Sequence, residues 1–361
     1  MRTLSFLFCC SLALTWISCD NEPAFEVPDS YNFENVDISV QTQTLGMLTE
    51  LATYAKSASS PGITLNGNRL AAMYANQAPA AWAGNYDDNI QLRNQTFTVE
   101  QGLFDNLLDE LAGASQSSAA AQPGVAGIAT TNDGAKSYFV SASGVEYAQV
   151  IEKGLMGALL YYQGVNEYLG ADRQNVDNET VVPGEGTAME HAWDQAFGYW
   201  GVPRNFPADQ DGLVFWGKYT NDRNPILESN ETIMNAFLRG RAAISNDALA
   251  ERNSALEIIR DEWELVSVAT ALHYLNQAID KYDDVAVRLH ALSEAAAFVY
   301  TLKFNTARGT SIDNIDQLLE TIGGSRNFRQ MNFYDVSAAE LEAARDQLAD
   351  HYNLTDRKTE F

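Results

Sequence analysis

Helical periodicity runs through most of the chain after residue 38 and limits the possible folds more than any other feature. Residues 39–57 carry Leu45, Leu48, Leu51 and Ala52 at spacings of three and four, and residues 100–113 repeat this pattern. Such spacing places apolar side chains on one helix face, which has to be buried against other helices. Only residues 31–36 (YNFENV) alternate as a strand would. The pattern therefore predicts an all-α fold built as a helical bundle.

The same pattern predicts where the other helices lie. The segment 145–170 is apolar on most sides, so we expect it at the centre of the bundle. Residues 113–135 are rich in Gly, Ser, Ala and Pro and predict a mobile loop. The remaining helices are predicted over residues 187–199, 229–247, 251–280, 283–305 and 337–350.

Composition excludes two classes of protein. The 361 residues are 46% hydrophobic, which is too apolar for a disordered chain and enough for a large core. Asp and Glu total 48 against 23 Lys and Arg, so the net charge is −25. A nucleic-acid-binding protein needs a basic face, and we expect no nucleic acid among the partners.

The first residues have the features of an export signal. Residues 1–18 combine Arg2 with an apolar stretch of signal-peptide length, and the end of this stretch resembles a bacterial lipobox before Cys19. We expect Cys19 to be lipidated, although a plain secretory signal is the alternative. Residues 19–30 predict a tether, and Asp20-Asn21-Glu22 resembles the export signal of surface lipoproteins. No later stretch is expected to have the length of a transmembrane helix.

These features predict the domain organisation and the location of the protein. We expect one helical domain over residues 31–361, held at the outer membrane by its lipid, with surface exposure as a further expectation. Residues 158–163 resemble residues 271–276, and the sequence around His191 resembles that around His290. This echo predicts two pseudo-symmetric bundles, about 31–205 and 206–361, unless it is chance in a chain rich in Ala and Leu.

Two histidine–carboxylate pairs are the candidate chemical groups. On a helix, His191 and Asp194 share a face, as do Glu190 and Asp194, and His290 and Glu294 form a second pair at a spacing of four. Imidazole and carboxylate together can bind a divalent metal such as iron. The alternative is that each histidine is a core residue hydrogen-bonded to a neighbouring carboxylate.

Other common site motifs are absent from the sequence. Residues 209–212 (DQDG) fail the register of an EF-hand calcium loop. There is no phosphate-binding Gly-rich loop, zincin motif or nucleophile elbow, and no cysteine lies beyond residue 19. Aromatic residues at 193–200 and 215–219 could form a sugar platform, although core packing is their commoner role.

Three segments resemble an uncharacterised lipoprotein family found chiefly in Bacteroidota, the domain-of-unknown-function family 4856. They are residues 31–51, residues 190–199 (EHAWDQAFGY) and residues 290–298 (HALSEAAAF). That family is distantly similar to the imelysin-like proteins, which are exported two-bundle helical proteins linked to iron uptake. Their His-x-x-Glu motif corresponds here to His191-Ala-Trp-Asp194, with the shorter Asp in place of Glu.

The leading functional prediction is a non-enzymatic, lipid-anchored protein that binds iron or another divalent metal, or assists an outer-membrane transporter of the TonB-dependent kind. A hydrolase that uses the His191 cluster as acid and base is the first alternative. A surface lipoprotein that captures glycans through Trp193 or Trp216 is the second. The sequence leaves the cofactor open, with a divalent metal such as iron as the candidate.

Overall fold

A computed structural model describes residues 25–78 and 81–361, and these residues form a mostly helical protein. The predicted signal peptide, residues 1–18, and Cys19 lie outside the described residues. Of the predicted tether, residues 25–30 are described, and Val27 packs against the core. The helices are α1 Ser39–Lys56, α2 Gly67–Ala75, α3 Leu92–Gln95, α4 Gln101–Ala114, α5 Tyr147–Leu155, α6 Ala171–Gln174, α7 Ala188–Trp200, α8 Phe215–Leu227, α9 Ser229–Ser245, α10 Leu249–Asp280, α11 Val285–Thr301, α12 Ile312–Gly323 and α13 Ala338–His351.

The segment predicted at the centre of the bundle is confirmed as helical and buried. Every residue of α5 is buried, and the chain continues without a break as a π-helical segment, Met156–Tyr168. This segment packs against α7 and α11. The longest helix, α10, lies between α9 and α11 and also contacts α8 and α13. The other helices therefore pack around two long segments, residues 147–168 and α10.

One continuous apolar core joins the two halves of the chain. The ring centroid of Tyr161 in the π-helical segment lies 5.7 Å from those of Trp216 in α8 and Trp263 in α10. Buried side chains from both sides of residue 205 belong to this single cluster. The two-bundle division and its pseudo-symmetry stay predictions. Of the two echoed segments, 158–163 is π-helical and 271–276 is α-helical.

Three local expectations are wrong. Residues 31–36 form no strand, and Asn35 has a φ of 60°, a left-handed conformation that interrupts extended chain. The span predicted as a mobile loop contains strand β1, Gly127–Thr130, which pairs antiparallel with β2, Ser137–Val140. No later stretch was expected to have the length of a transmembrane helix, but Val285–Phe304 has the length and apolar composition of a membrane span. Among the described residues, 83% of its most apolar 18-residue stretch is buried.

Local signals fix the ends of helix α7. Thr187 and Glu190 form a capping box, in which each side chain bonds the backbone N–H of the other residue. Gly201 ends the helix with a φ of 83°, the left-handed conformation that glycine adopts without strain, as the Gly-Val-Pro sequence predicts. The helix places Trp193 and Trp200 fully inside the core.

Close packing between α7 and α9 gives a test of the core. A Cβ atom on Gly240 would overlap the indole ring of Trp193, whereas one on Gly113 near the end of α4 would meet open space. We expect Gly240→Ala to lower the free energy of unfolding by about 1–3 kcal/mol through overpacking. Gly113→Ala is the control and should be neutral or stabilising by up to about 1 kcal/mol. Denaturant unfolding measures both, and equal behaviour of the two variants would contradict this packing.

Candidate functional site

The carboxylates of the first predicted site are bound by an arginine. Asp194 is fully buried, and its Oδ1 accepts hydrogen bonds from Arg241 Nε at 2.9 Å and from Tyr31 Oη at 2.7 Å. The Nη1 of Arg241 contacts Glu190, whose Oε1 also accepts a hydrogen bond from Ser245 Oγ at 2.6 Å. These bonds join α7 to α9 and to the segment before α1. Their geometry is that of a structural ion pair.

Burial and hydrogen bonding shift the pKa values of these two carboxyls in opposite directions. Desolvation raises the pKa of Asp194 to about 6, although the Arg241 charge opposes this effect. Desolvation also acts on Glu190, but hydrogen bonds from Ser245 and the Thr187 backbone outweigh it and lower the pKa of that carboxyl. Both carboxylates form hydrogen bonds with other residues of the protein. This bonding argues against a role for them in acid–base catalysis.

His191 does not join these carboxylates. Its Nε2 contacts the side-chain amide of Gln195, and its buried Nδ1 has no hydrogen-bond partner among residues 25–78 and 81–361. The structure therefore does not assemble Glu190, His191 and Asp194 as a set of metal ligands. The physical reason is that Arg241, a residue distant in sequence, neutralises the carboxylates on the face that they share.

The aromatic residues considered for a sugar platform lie in the core. Trp193 and Trp216 are fully buried. Their indole N–H groups donate to the backbone oxygens of Phe237 at 3.0 Å and Met156 at 2.9 Å. Because no face of either ring reaches solvent, these two tryptophans cannot stack on a glycan.

The second predicted pair belongs to a buried cluster that the sequence shows only in part. His290 Nδ1 lies 2.7 Å from Glu146 Oε2, and His290 Nε2 lies 3.5 Å from Glu294 Oε1. The imidazole stacks on the ring of Tyr138 in β2, with a centroid distance of 4.1 Å. Both carboxylates are almost completely buried, and the histidine side chain is 15% exposed. Helices α5 and α11 and the hairpin thus converge on one imidazole.

The electrostatics of this cluster favour a positively charged group between the two carboxylates. Burial lowers the pKa of His290, but the hydrogen bond and charge of Glu146 and the charge of Glu294 outweigh it, so the net shift is upward. Burial raises the pKa of Glu146, and the neighbouring imidazole opposes that rise. Two carboxylates in a dry environment are stable only if a cation, here an imidazolium, compensates them.

Further charged groups continue the cluster through the interior. Tyr219 Oη donates to Glu294 Oε2 at 3.3 Å, and its ring lies 5.2 Å from the ammonium of Lys153. Lys153 in turn donates to Glu152 at 2.8 Å. Sequence reasoning missed Glu146, Glu152 and Lys153. The adjacent charges of Glu152 and Lys153 inside an otherwise apolar segment were the available signal, because buried charges require partners.

His290 forms part of the wall of a large cleft. This cleft has a volume of about 990 Å³, at the upper end of the usual range for ligand sites. Charged side chains of both signs line it, together with His273, Tyr138 and Tyr274. Within residues 25–78 and 81–361, no group of three or more His, Cys, Asp or Glu residues has the geometry of a metal site. Any metal at His290 would therefore need ligands from outside these residues.

Comparison with known proteins finds one family. A family model described as "Domain of unknown function (DUF4856)" matches residues 28–355 of the chain. No curated protein and no solved structure matches significantly.

The Arg241 ion pairs give a test of the structural role of Glu190 and Asp194. Arg241→Leu leaves two carboxylates without their buried partner, and we expect it to lower the free energy of unfolding by about 3–5 kcal/mol. Arg239→Leu, on the same helix, is the control. Its partner Glu251 is 35% exposed, and the loss should be about 0–1 kcal/mol. Similar losses in urea unfolding of both variants would refute the structural role.

Proposed function

This chain belongs to the DUF4856 family, and from that premise we propose that it is an exported, lipid-anchored protein that binds iron or another divalent metal. The ligands contributed by the chain are His290, at the wall of the large cleft, and the buried Glu294 beside it. The proposal makes the protein a binding component of metal uptake rather than an enzyme. A TonB-dependent transporter in the same membrane would be its partner.

The observation that carries the proposal is the orientation of the His290 ring. Glu146 accepts a hydrogen bond at Nδ1, which fixes the ring and directs Nε2 toward Glu294. Metal-binding histidines characteristically donate their second ring N–H to a carboxylate, which sets the tautomer and raises the basicity of the ligating nitrogen. Glu146 supplies this carboxylate from the position directly before α5.

The spacing of the two candidate ligand atoms suits a shared metal better than a hydrogen bond. Nε2 and Oε1 are 3.5 Å apart, which exceeds the usual 2.7–3.2 Å of an N–H···O bond. Two ligands at about 2.1 Å from a metal in tetrahedral arrangement would lie about 3.4 Å apart. Small adjustments of the Glu294 side chain would therefore allow both atoms to bind one ion.

A metal ion with only two protein ligands occupies an open site. An open site suits a protein that transfers the metal better than one that stores it. The remaining coordination positions would be filled by water or by the ligands of a metal complex, for which the cleft of about 990 Å³ has space. An ion held in this way is exchangeable. A structural metal site, in contrast, has all four positions filled by the protein.

The location and the finer relationships are also proposals that rest on the sequence. The apolar segment before Cys19 and the acidic residues after it support lipidation and an outer-membrane position with surface exposure. Similarity to the imelysin-like proteins rests on the match of His191-Ala-Trp-Asp194 to their His-x-x-Glu motif, and the two pseudo-symmetric bundles rest on the echo between the His191 and His290 segments. In the described structure these histidines have unlike partners, an amide for His191 and carboxylates for His290.

Measurements of metal content test the proposal. The protein is first equilibrated with Fe²⁺ under anaerobic conditions, and in parallel with Zn²⁺ as a redox-inert probe. We expect close to one ion per chain in the unaltered protein and in His191→Ala. His290→Ala should lose the ion, and Glu146→Gln should weaken binding by about 10–100-fold because the orienting carboxylate is gone. Equal and negligible metal content in all four proteins would end the metal-binding proposal.

Metal affinity should also depend on pH through His290. Glu146 and Glu294 raise its pKa, Lys153 opposes them, and the net upward shift keeps a competing proton on the ring to higher pH. We expect Zn²⁺ to bind more weakly at pH 6 than at pH 8 in calorimetric titrations. His290→Ala should bind no Zn²⁺ at either pH. An affinity that is constant over this range in the unaltered protein would contradict binding through the imidazole.

A further inference from the structure

Three of the seven lysines in this acidic chain line one small cleft. The cleft has a volume of about 230 Å³ and lies between α1, α5 and the start of α8. Lys56, Lys153 and Lys218 form part of its wall, together with Glu152 and Tyr219. The seven lysines are Lys56, Lys136, Lys153, Lys218, Lys281, Lys303 and Lys358. Such a concentration contrasts with the net charge of −25 for the whole chain.

One carboxylate serves two of these ammonium groups. The Nζ atoms of Lys56 and Lys153 both contact the same oxygen, Oε2 of Glu152. Lys153 is 5% exposed, so its charge is removed from bulk water. Each ammonium has three N–H donors, and one shared oxygen cannot satisfy all six. Glu152 carries one negative charge and compensates only one of the two lysines, and the next carboxylate that acts on Lys153 is Glu294, which lies outside the wall of this cleft.

The charge balance of the cleft is positive. Lys56, Lys153 and Lys218 contribute three positive charges and Glu152 contributes one negative charge, which leaves a local excess of two. Lys218 is exposed at the rim, and none of the ion pairs found among the described residues includes it. Phe215 and Ala52 contribute apolar surface to the wall beside these charges.

We propose that this cleft is a binding site for a small tetrahedral oxyanion of the phosphate type. An oxyanion between Lys56 and Lys218 would accept the N–H donors that Glu152 leaves unused and would neutralise the excess charge. The volume is below the 300–1,000 Å³ of typical organic-ligand sites, which favours an ion over a nucleotide or a larger cofactor. This site uses none of His290, Glu146 or Glu294, so the proposal is independent of metal binding.

Calorimetric titration of the full mature chain with inorganic phosphate, at constant ionic strength, tests the site. We expect saturable binding with one ion per chain. Lys56→Gln should weaken it at least tenfold, and Lys218→Gln, an exposed substitution that spares the core, should weaken it several-fold. Lys136→Gln is the matched control, because Lys136 is exposed on the hairpin and lines a different cleft. Its affinity should equal that of the unaltered protein.

Further arms of the experiment separate this proposal from others. Acetate that bound as tightly as phosphate would overturn the choice of a tetrahedral ion. Binding to vesicles with phosphatidic acid, without binding of free phosphate, would overturn a free ion as the ligand. Absence of phosphate binding, or equal affinity of Lys218→Gln and Lys136→Gln, would overturn the site itself. Zn²⁺ binding by Lys218→Gln should be unchanged, so that failure here is distinguishable from failure of the metal proposal.

Discussion

Burial of all of α5 and of much of the adjoining π-helical segment is the constraint on which the rest of the structure depends. Because α5 and much of the π-helical segment are enclosed, other helices must cover them on every side. Three glycines permit close approaches, since a Cβ on Gly157 would overlap Thr301, one on Gly154 would overlap Phe104 and one on Gly164 would crowd Trp263. The backbone also forms a bond beyond its own helix, in which Met156 O accepts the indole N–H of Trp216 at 2.9 Å. This bond joins α8 to the core.

The same burial explains why the charged groups occur as clusters. Glu152 and Lys153 lie on a segment that is enclosed by apolar helices, so each must find a partner of opposite charge inside the protein. The resulting groups extend from the small lysine-lined cleft to Glu294 and His290 at the large cleft, with Tyr219 between them. Replacement of such groups by apolar side chains is often neutral or stabilising in other proteins, so stability alone is a weak reason for their presence. Their contact with two clefts is the observation on which the metal and oxyanion proposals rest.

Much of the fold could be predicted from the sequence, because long amphipathic segments carry their signal locally. Helix α10 was predicted over 251–280 and spans Leu249–Asp280. Helix α8 was missed, since it is polar and contains Pro225. Helix α12 was also missed although its apolar residues have helical spacing, and the two four-residue strands were too short to show alternation. In the site, the spacing of His290 and Glu294 was visible, but Glu146 lies 144 residues away and only the fold brings it near.

The two histidines show why a local motif does not determine a site. Both stand near a carboxylate on their own helix, and the spacing alone predicts equal roles. A distant residue decides the outcome in each case. On α7, Arg241 reaches Glu190 and Asp194 and converts their shared face into an ion pair, while His191 is left with Gln195. On α11, the distant residue is an acid, Glu146, and it orients the imidazole instead of neutralising its neighbour. Arg241 is positive and completes a structural ion pair, whereas Glu146 is negative and orients the imidazole of a candidate metal ligand. The charge of this distant residue therefore separates the candidate metal site from the structural one.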